Sequence, residues 1–285
     1  MALYELSGDA ALHGGVLVVA LDGWVDAGLG ASTAITHLLG SVETELVARF
    51  DGEALIDQRA RRPMLEIVDG RNTGLSWPEI QLRAGRDRAG NPVGFLVGPE
   101  PDFRWRSFGG AAAELAAQLG VRLAVGLGAF PAPAPHTRPV RVAATSPDAD
   151  LAGRIGVVPG VLQVPAGIEA LLELALEEVG IPAVGLWARV PHYVSAMPYP
   201  AASAVLVDSL GAVGELDLDS SPLHAAADVA RQRVDELISQ STEHQAMVAQ
   251  LESNLDAAEG NPLNLGEVPS GEEIAAELER YLRGE

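Results

Sequence analysis

Residues 17–39, LVVALDGWVDAGLGASTAITHLL, constrain the fold more than any other stretch. The apolar run Val16–Leu21 is Val-rich and too short for a helix, so it reads as a buried strand. Asp22-Gly23-Trp24-Val25-Asp26-Ala27-Gly28 is a turn. Apolar positions at Leu29, Ala31, Ile35, Leu38 and Leu39 then mark a helix. A buried strand that feeds a helix through such a turn belongs to an open α/β sheet, whose sites lie just outside the carboxyl ends of the strands. Gly28 and Gly30 match the first two glycines of a dinucleotide fingerprint, but Thr33 stands where the third glycine or alanine belongs. Asp22 and Asp26 would also repel a pyrophosphate there. The glycines are expected to let the helix pack on the sheet.

The rest of the chain repeats the alternation. Strand signals fall at 43–50, 65–68, 79–84, 93–97, 123–127, 140–144 and 184–190. Helical signals fall at 108–119, 168–179 and 201–210. Gly128–Pro139, GAFPAPAPHTRP, is expected to be a loop at a strand end, because proline cannot sit inside a sheet. In 168–179 the acids Glu169, Glu173, Glu177 and Glu178 are assigned to an outer, solvated face. Pro222–Ala258 reads as one long helix, broken at Asn261-Pro262, and Ser270-Gly271-Glu272-Glu273 reads as a capping box for a last helix through Leu282. The expected organisation is an α/β domain over 1–220 with a mainly parallel central sheet. A helical extension over 221–285 packs on that core or on a neighbouring subunit.

Composition narrows the chemistry. With 285 residues, 48% hydrophobic and 20% charged, the chain can bury a substantial core. It has no Cys, which excludes disulfides, zinc thiolates and thiol nucleophiles. All 19 basic residues are arginine, so Schiff-base and P-loop lysine chemistry is excluded as well. The net charge of −20 argues against nucleic acid or an anionic membrane as partner. That charge is uneven: 17 acids against 4 Arg from Asp208 onward, and 9 Arg against 6 acids over Arg59–Arg106. The first dozen residues lack a basic n-region and no apolar run approaches the ~20 residues of a membrane span, so the cytoplasm is the expected location.

Six His are present, none at metal-ligand spacing, and no metal or cofactor is expected. His136 and His192 each follow a strand and sit in a Pro-rich loop. With Asp22, Asp26 and Arg138 they are placed at one end of the sheet, where an Asp–His pair would suit general acid/base work. The preferred reading of the same residues is as loop-shaping groups that cap nearby backbone. Trp24, Phe130, Arg138 and Tyr193 are candidate binding residues beside them. No Gly-x-Ser-x-Gly elbow supplies a serine nucleophile.

Taken together, LVVALDGWVDAGLGAS, PHTRPV, WARVPHYVSAMPYPAA and SGEEIAAELERYLR resemble the PAC2 family, named for proteasome assembly chaperone 2, in its actinobacterial branch. The resemblance runs over essentially the whole chain. It implies a three-layer, phosphorylase/hydrolase-like α/β fold, self-association with a trimer as one candidate state, and a role in holding proteasome subunits. Archaeal relatives dock through a C-terminal hydrophobic-Tyr-any tail, whereas this chain ends Tyr281-Leu282-Arg283-Gly284-Glu285, which shifts the expected contact to the acidic C-terminal helices. Two readings stay open: a non-enzymatic protein-interaction factor, preferred on the resemblance, and a small-molecule enzyme or binding protein of hydrolase, nucleoside phosphorylase or carboxylate-amine ligase type. The lysine-free composition counts against an ATP-grasp ligase.

Overall fold

The computed structural model describes residues 3–7, 12–23 and 25–260. The break at Asn261-Pro262, the capping box at Ser270, the last helix and the chain end lie outside the described residues, as does Trp24.

In chain order the strands are β1 Tyr4–Leu6, β2 Val16–Asp22, β3 Thr44–Phe50, β4 Met64–Val68, β5 Arg71–Ser76, β6 Gln81–Arg86, β7 Pro92–Pro99, β8 Leu123–Ala132, β9 Val142–Thr145 and β10 Ala183–Pro191. The helices are α1 Gly30–Ser41, α2 Gly52–Leu55, α3 Trp105–Gln118, α4 Ala149–Ile155, α5 Ile168–Glu178, α6 Pro200–Gly214, α7 Ser221–Ser239 and α8 Thr242–Gly260. Eight strands form one mixed sheet in the order β1-β3-β6-β7-β2-β8-β10-β9. Its centre, β7-β2-β8-β10, is parallel, and both flanks are antiparallel.

The strand alternation of β2 builds the two cores directly. Val16, Val18 and Ala20 face α1 and α6, while Leu17, Val19 and Leu21 face α3 and α5. Every one of these six side chains is buried, which is why the sequence shows a continuous apolar run rather than an alternating one. The turn after β2 is tight because Gly28 has φ +63°, and a Cβ there would lie 2.7 Å from the Tyr199 Cβ.

Several expectations change. β8 continues through Ala132, so the first half of the Pro-rich segment is strand and not loop. Past Ala129 it pairs with β10 alone, and Pro131 therefore sits where no second strand needs its missing N–H. The expected single helix over 222–258 is two, α7 and α8, divided at Gln240-Ser241 without any Gly or Pro. Of the C-terminal helices α7 packs on the chain's own core, where Leu223 and Val234 join the α1–α6 cluster. β5, unmarked in the sequence, pairs with β4 as a separate two-stranded hairpin. Glu169 and Glu173 do not lie on an outer face; α5 turns them toward the sheet.

Candidate functional site at the carboxyl ends of the parallel strands

The carboxyl ends of β2, β8 and β10 gather most of the residues singled out by sequence, and each side chain there is tied to a specific task. Asp26 caps α1: its carboxylate accepts from Ala31 N (2.8 Å), Ser32 N (3.0 Å) and Ser32 Oγ (2.6 Å). An acid at a helix start satisfies amides that have no partner within the helix. Asp22 ends β2 exposed at the strand end; desolvation first, and then the Asp26 charge, raise its pKa, with Arg61 pulling the other way.

His136 follows β8, with its side chain 1% exposed. Its backbone N–H donates to the Tyr193 hydroxyl (2.8 Å), Nδ1 lies 2.6 Å from the same oxygen, and Nε2 lies 2.9 Å from Asp235 Oδ1 of α7. Asp235 can only accept, so Nε2 carries a proton; in the neutral ring Nδ1 then accepts from the Tyr193 hydroxyl. Burial first, and then the Glu252 and Asp235 charges, push the Tyr193 pKa up to about 12, against the His136 amide hydrogen bond, so the hydroxyl keeps its proton. Among the described residues no hydrogen bond joins His136 to Asp22 or Asp26. Its acid partner is Asp235, contributed by α7.

Arg138, two residues on, faces α8: Nη1 lies 3.1 Å from Glu252 Oε1 and Nη2 3.0 Å from Asp256 Oδ2. The Thr137 hydroxyl donates to Glu252 as well. The PHTRP loop is therefore a latch, with His136 holding α7 and Arg138 holding α8. His192 is exposed, its ring edge-on to Tyr193 at 5.3 Å between centroids. Ser195 Oγ donates to the His192 carbonyl and is not presented to a base. Phe130 is partly buried on β8, paired across the sheet with Arg189.

Sequence reasoning missed the buried acids of α5. Gly126 and Gly185 are register partners on β8 and β10, and the space their absent side chains leave is taken by the two glutamates. A Cβ on Gly185 would lie 2.5 Å from Glu173 Oε1, and one on Gly126 would lie 3.4 Å from Glu169 Oε2. Thr145 Oγ1 donates to Glu173 Oε1 (2.9 Å), and the Trp187 indole N–H donates to Thr145 (3.0 Å). Burial drives the Glu173 pKa up to about 7. Glu169 is raised well above its ordinary value by burial and then by the Glu173 charge, with Asp26 and Glu100 adding to it. The signal available in sequence was a glycine in each of two buried strands, which marks a close approach. Among the described residues no three His, Asp or Glu side chains converge as metal ligands.

The strand ends are thus electrically divided. Acids crowd β2 and its neighbour β7, with Asp22, Asp26, Glu100 and Glu169 close enough to influence one another. Arginines Arg138, Arg141 and Arg189 surround the ends of β8 and β10. Among the described residues no helix is long and apolar enough to cross a membrane.

The family model described as "PAC2 family" matches residues 20–238. A PAC2 family protein from Streptomyces avermitilis has 36% identity and TM-score 0.72, covering 82% of this chain and 99% of its own. A proteasome-assembly chaperone homologue from Mycobacterium tuberculosis has 34% identity and TM-score 0.75 at the same coverage. A protein of unknown function from Corynebacterium glutamicum has 34% identity and TM-score 0.83, covering 90% of this chain and 98% of its own. No curated protein matches.

Proposed function

The chain belongs to the PAC2 family, and on that premise we propose that it is a cytoplasmic protein-interaction factor that holds proteasome subunits before they assemble. The observation that carries this reading is the β4–β5 hairpin. All of its residues are exposed, among them Met64, Leu65, Ile67, Val68 and Leu75, with Trp77 just beyond. A two-stranded ribbon with apolar side chains and no sheet or helix beneath it gains little by itself and is stabilised by packing on a partner. Arg59, Arg61 and Arg62 precede it in the chain and Arg71 opens β5, with Arg61 paired to Asp102, so a partner with an apolar centre and acidic groups toward that end fits it best. The likeness to the Mycobacterium tuberculosis proteasome-assembly chaperone homologue supplies the kind of partner. Self-association, including a trimer, belongs to the same reading, since the exposed acids of α7 and α8 offer a second copy the same complement.

The test is capture of the host's proteasome α and β subunits, free and assembled, by the purified chain and by its Ile67→Asp variant. Wild type is expected to retain free subunits and not the finished particle, and Ile67→Asp to lose them while melting as wild type does. No capture of free subunits at low or moderate salt would overturn the role. Light scattering on both proteins reads the oligomer.

A further inference from the structure

At the ends of β8 and β10 lies a cavity of about 80 Å³ whose walls include Arg138, Arg141, Arg189, Tyr199, the prolines of the 133–139 loop and Leu255 of α8. Its chemistry is one-sided. Arg138 is paired with Glu252 and Asp256, and Arg141 is also engaged. Arg189 differs: its Nε is shut off from solvent and has no hydrogen-bond partner. No acid among the described residues forms an ion pair with its guanidinium. A partly buried guanidinium whose Nε is sealed from solvent without a partner, beside two more arginines, gains from an anion that completes it. Burial and then the Arg141 charge both hold the Arg189 pKa down, as expected of a guanidinium lacking an anion. Burial keeps the Tyr199 pKa up at about 12, so its hydroxyl retains a proton.

The geometry points to an oxyanion site at this cavity, formed by Arg189, Arg141 and Arg138 and suited to a phosphate group. Arg138, Arg141 and Arg189 line the cavity from three chain positions and are its only charged lining residues among those described, which suits a tetrahedral dianion with several acceptor oxygens better than a flat carboxylate. The volume admits a few water-sized groups, far below the roughly 300 Å³ at which drug-sized pockets begin, so a whole nucleotide does not fit inside. The ligand is inorganic phosphate or the phosphate end of a small monoester. Glu252 and Asp256 compete with it for Arg138, so binding there and the hold on α8 oppose each other.

Inorganic phosphate, glycerol phosphate, acetate and chloride, at matched ionic strength, are titrated into the full chain while its melting is followed, with calorimetry on the same samples. Phosphate is expected to raise the melting temperature with the logarithm of its concentration, by about 5 °C at 100 times its Kd, and to saturate in the calorimetric titration. Arg189→Gln is expected to abolish that rise and to melt no lower than wild type without phosphate. Asp256→Asn is expected to tighten phosphate binding several-fold by releasing Arg138. The glycerol phosphate arm separates the two sources: binding as tight as inorganic phosphate assigns the site to monoesters, and no binding assigns it to the free ion. A phosphate response equal to that of chloride, an equal response to acetate, or one that survives in Arg189→Gln would overturn the proposal. Should Arg189→Gln not fold, Arg141→Gln and the wild-type calorimetry decide the same question.

Discussion

Glu173 shows how one residue can set the pH dependence of the molecule. Its carboxyl titrates near 7 in the fold because burial disfavours the charged form, and near 4.5 once unfolded. Between those values the folded chain holds a proton that the unfolded chain has lost, so stability falls as pH rises through this window. The shift corresponds to about 3 kcal/mol. Glu173→Gln is therefore expected to match wild type at pH 5, to exceed it by up to about 3 kcal/mol at pH 8, and to flatten the slope between; urea melts at the two pH values measure this. Glu169 shifts in the same direction and leaves a residual slope in the variant. Tyr193 offers a second residue-scale test. Removing its hydroxyl strips the buried His136 of partners for both its amide and Nδ1, and Tyr193→Phe is expected to cost about 1–3 kcal/mol in the same melts.

At the scale of elements, legibility followed burial. β2, β8 and β10 could be read because strands covered on both faces leave uninterrupted apolar runs, and Val16–Leu21 is the clearest of them. The β5 sequence RNTGLS carries no such run, and it is a strand only because β4 lies beside it. The α7–α8 break falls at Gln240-Ser241, where no Gly or Pro announces it; Ser241 starts α8 by accepting from the His244 amide at its Oγ (3.3 Å), a local cap that a long apolar periodicity hides. Glu169 and Glu173 were placed outside on the general rule that charge seeks water; the glycines opposite them, distant in sequence, reverse it. The candidate site divides similarly. His136, Arg138 and Tyr193 were visible as residue types, but the partners that define their work, Asp235, Glu252 and Asp256, come from about 100 residues downstream and no spacing announces them. The hairpin yields the prediction proper to this scale. Since β4 and β5 pair only with each other, replacing residues 64–76 by a short Gly/Ser turn is expected to change stability by less than about 0.5 kcal/mol. A larger loss would show that the hairpin supports the fold rather than a partner.

For the whole molecule the question is whether residues 221–260 are an appendage or part of one cooperative unit. Charge favours an appendage: the segment is acidic, and repulsion from the other acids of a chain carrying −20 works against its docking. Packing opposes it. Leu223 and Val234 complete the core under α1 and α6, Val248 and Leu251 are buried on α8, and each such side chain contributes about 1.5–3 kcal/mol. The latch adds position more than energy, since Arg138 and Asp235 are partly exposed and solvent-screened pairs are worth about 0–1 kcal/mol. Packing wins by this arithmetic, and unfolding is expected to be a single transition. Far-UV dichroism, dominated here by helices, and tryptophan fluorescence, to which Trp187 of the central sheet contributes, should trace the same urea curve. Helix lost at lower urea than the fluorescence change would make α7 and α8 a separate unit. Truncation after residue 220 is then the complementary experiment: a cooperative unit loses at least about 2 kcal/mol with its C-terminal helices, whereas an appendage leaves the α/β core melting where it did before.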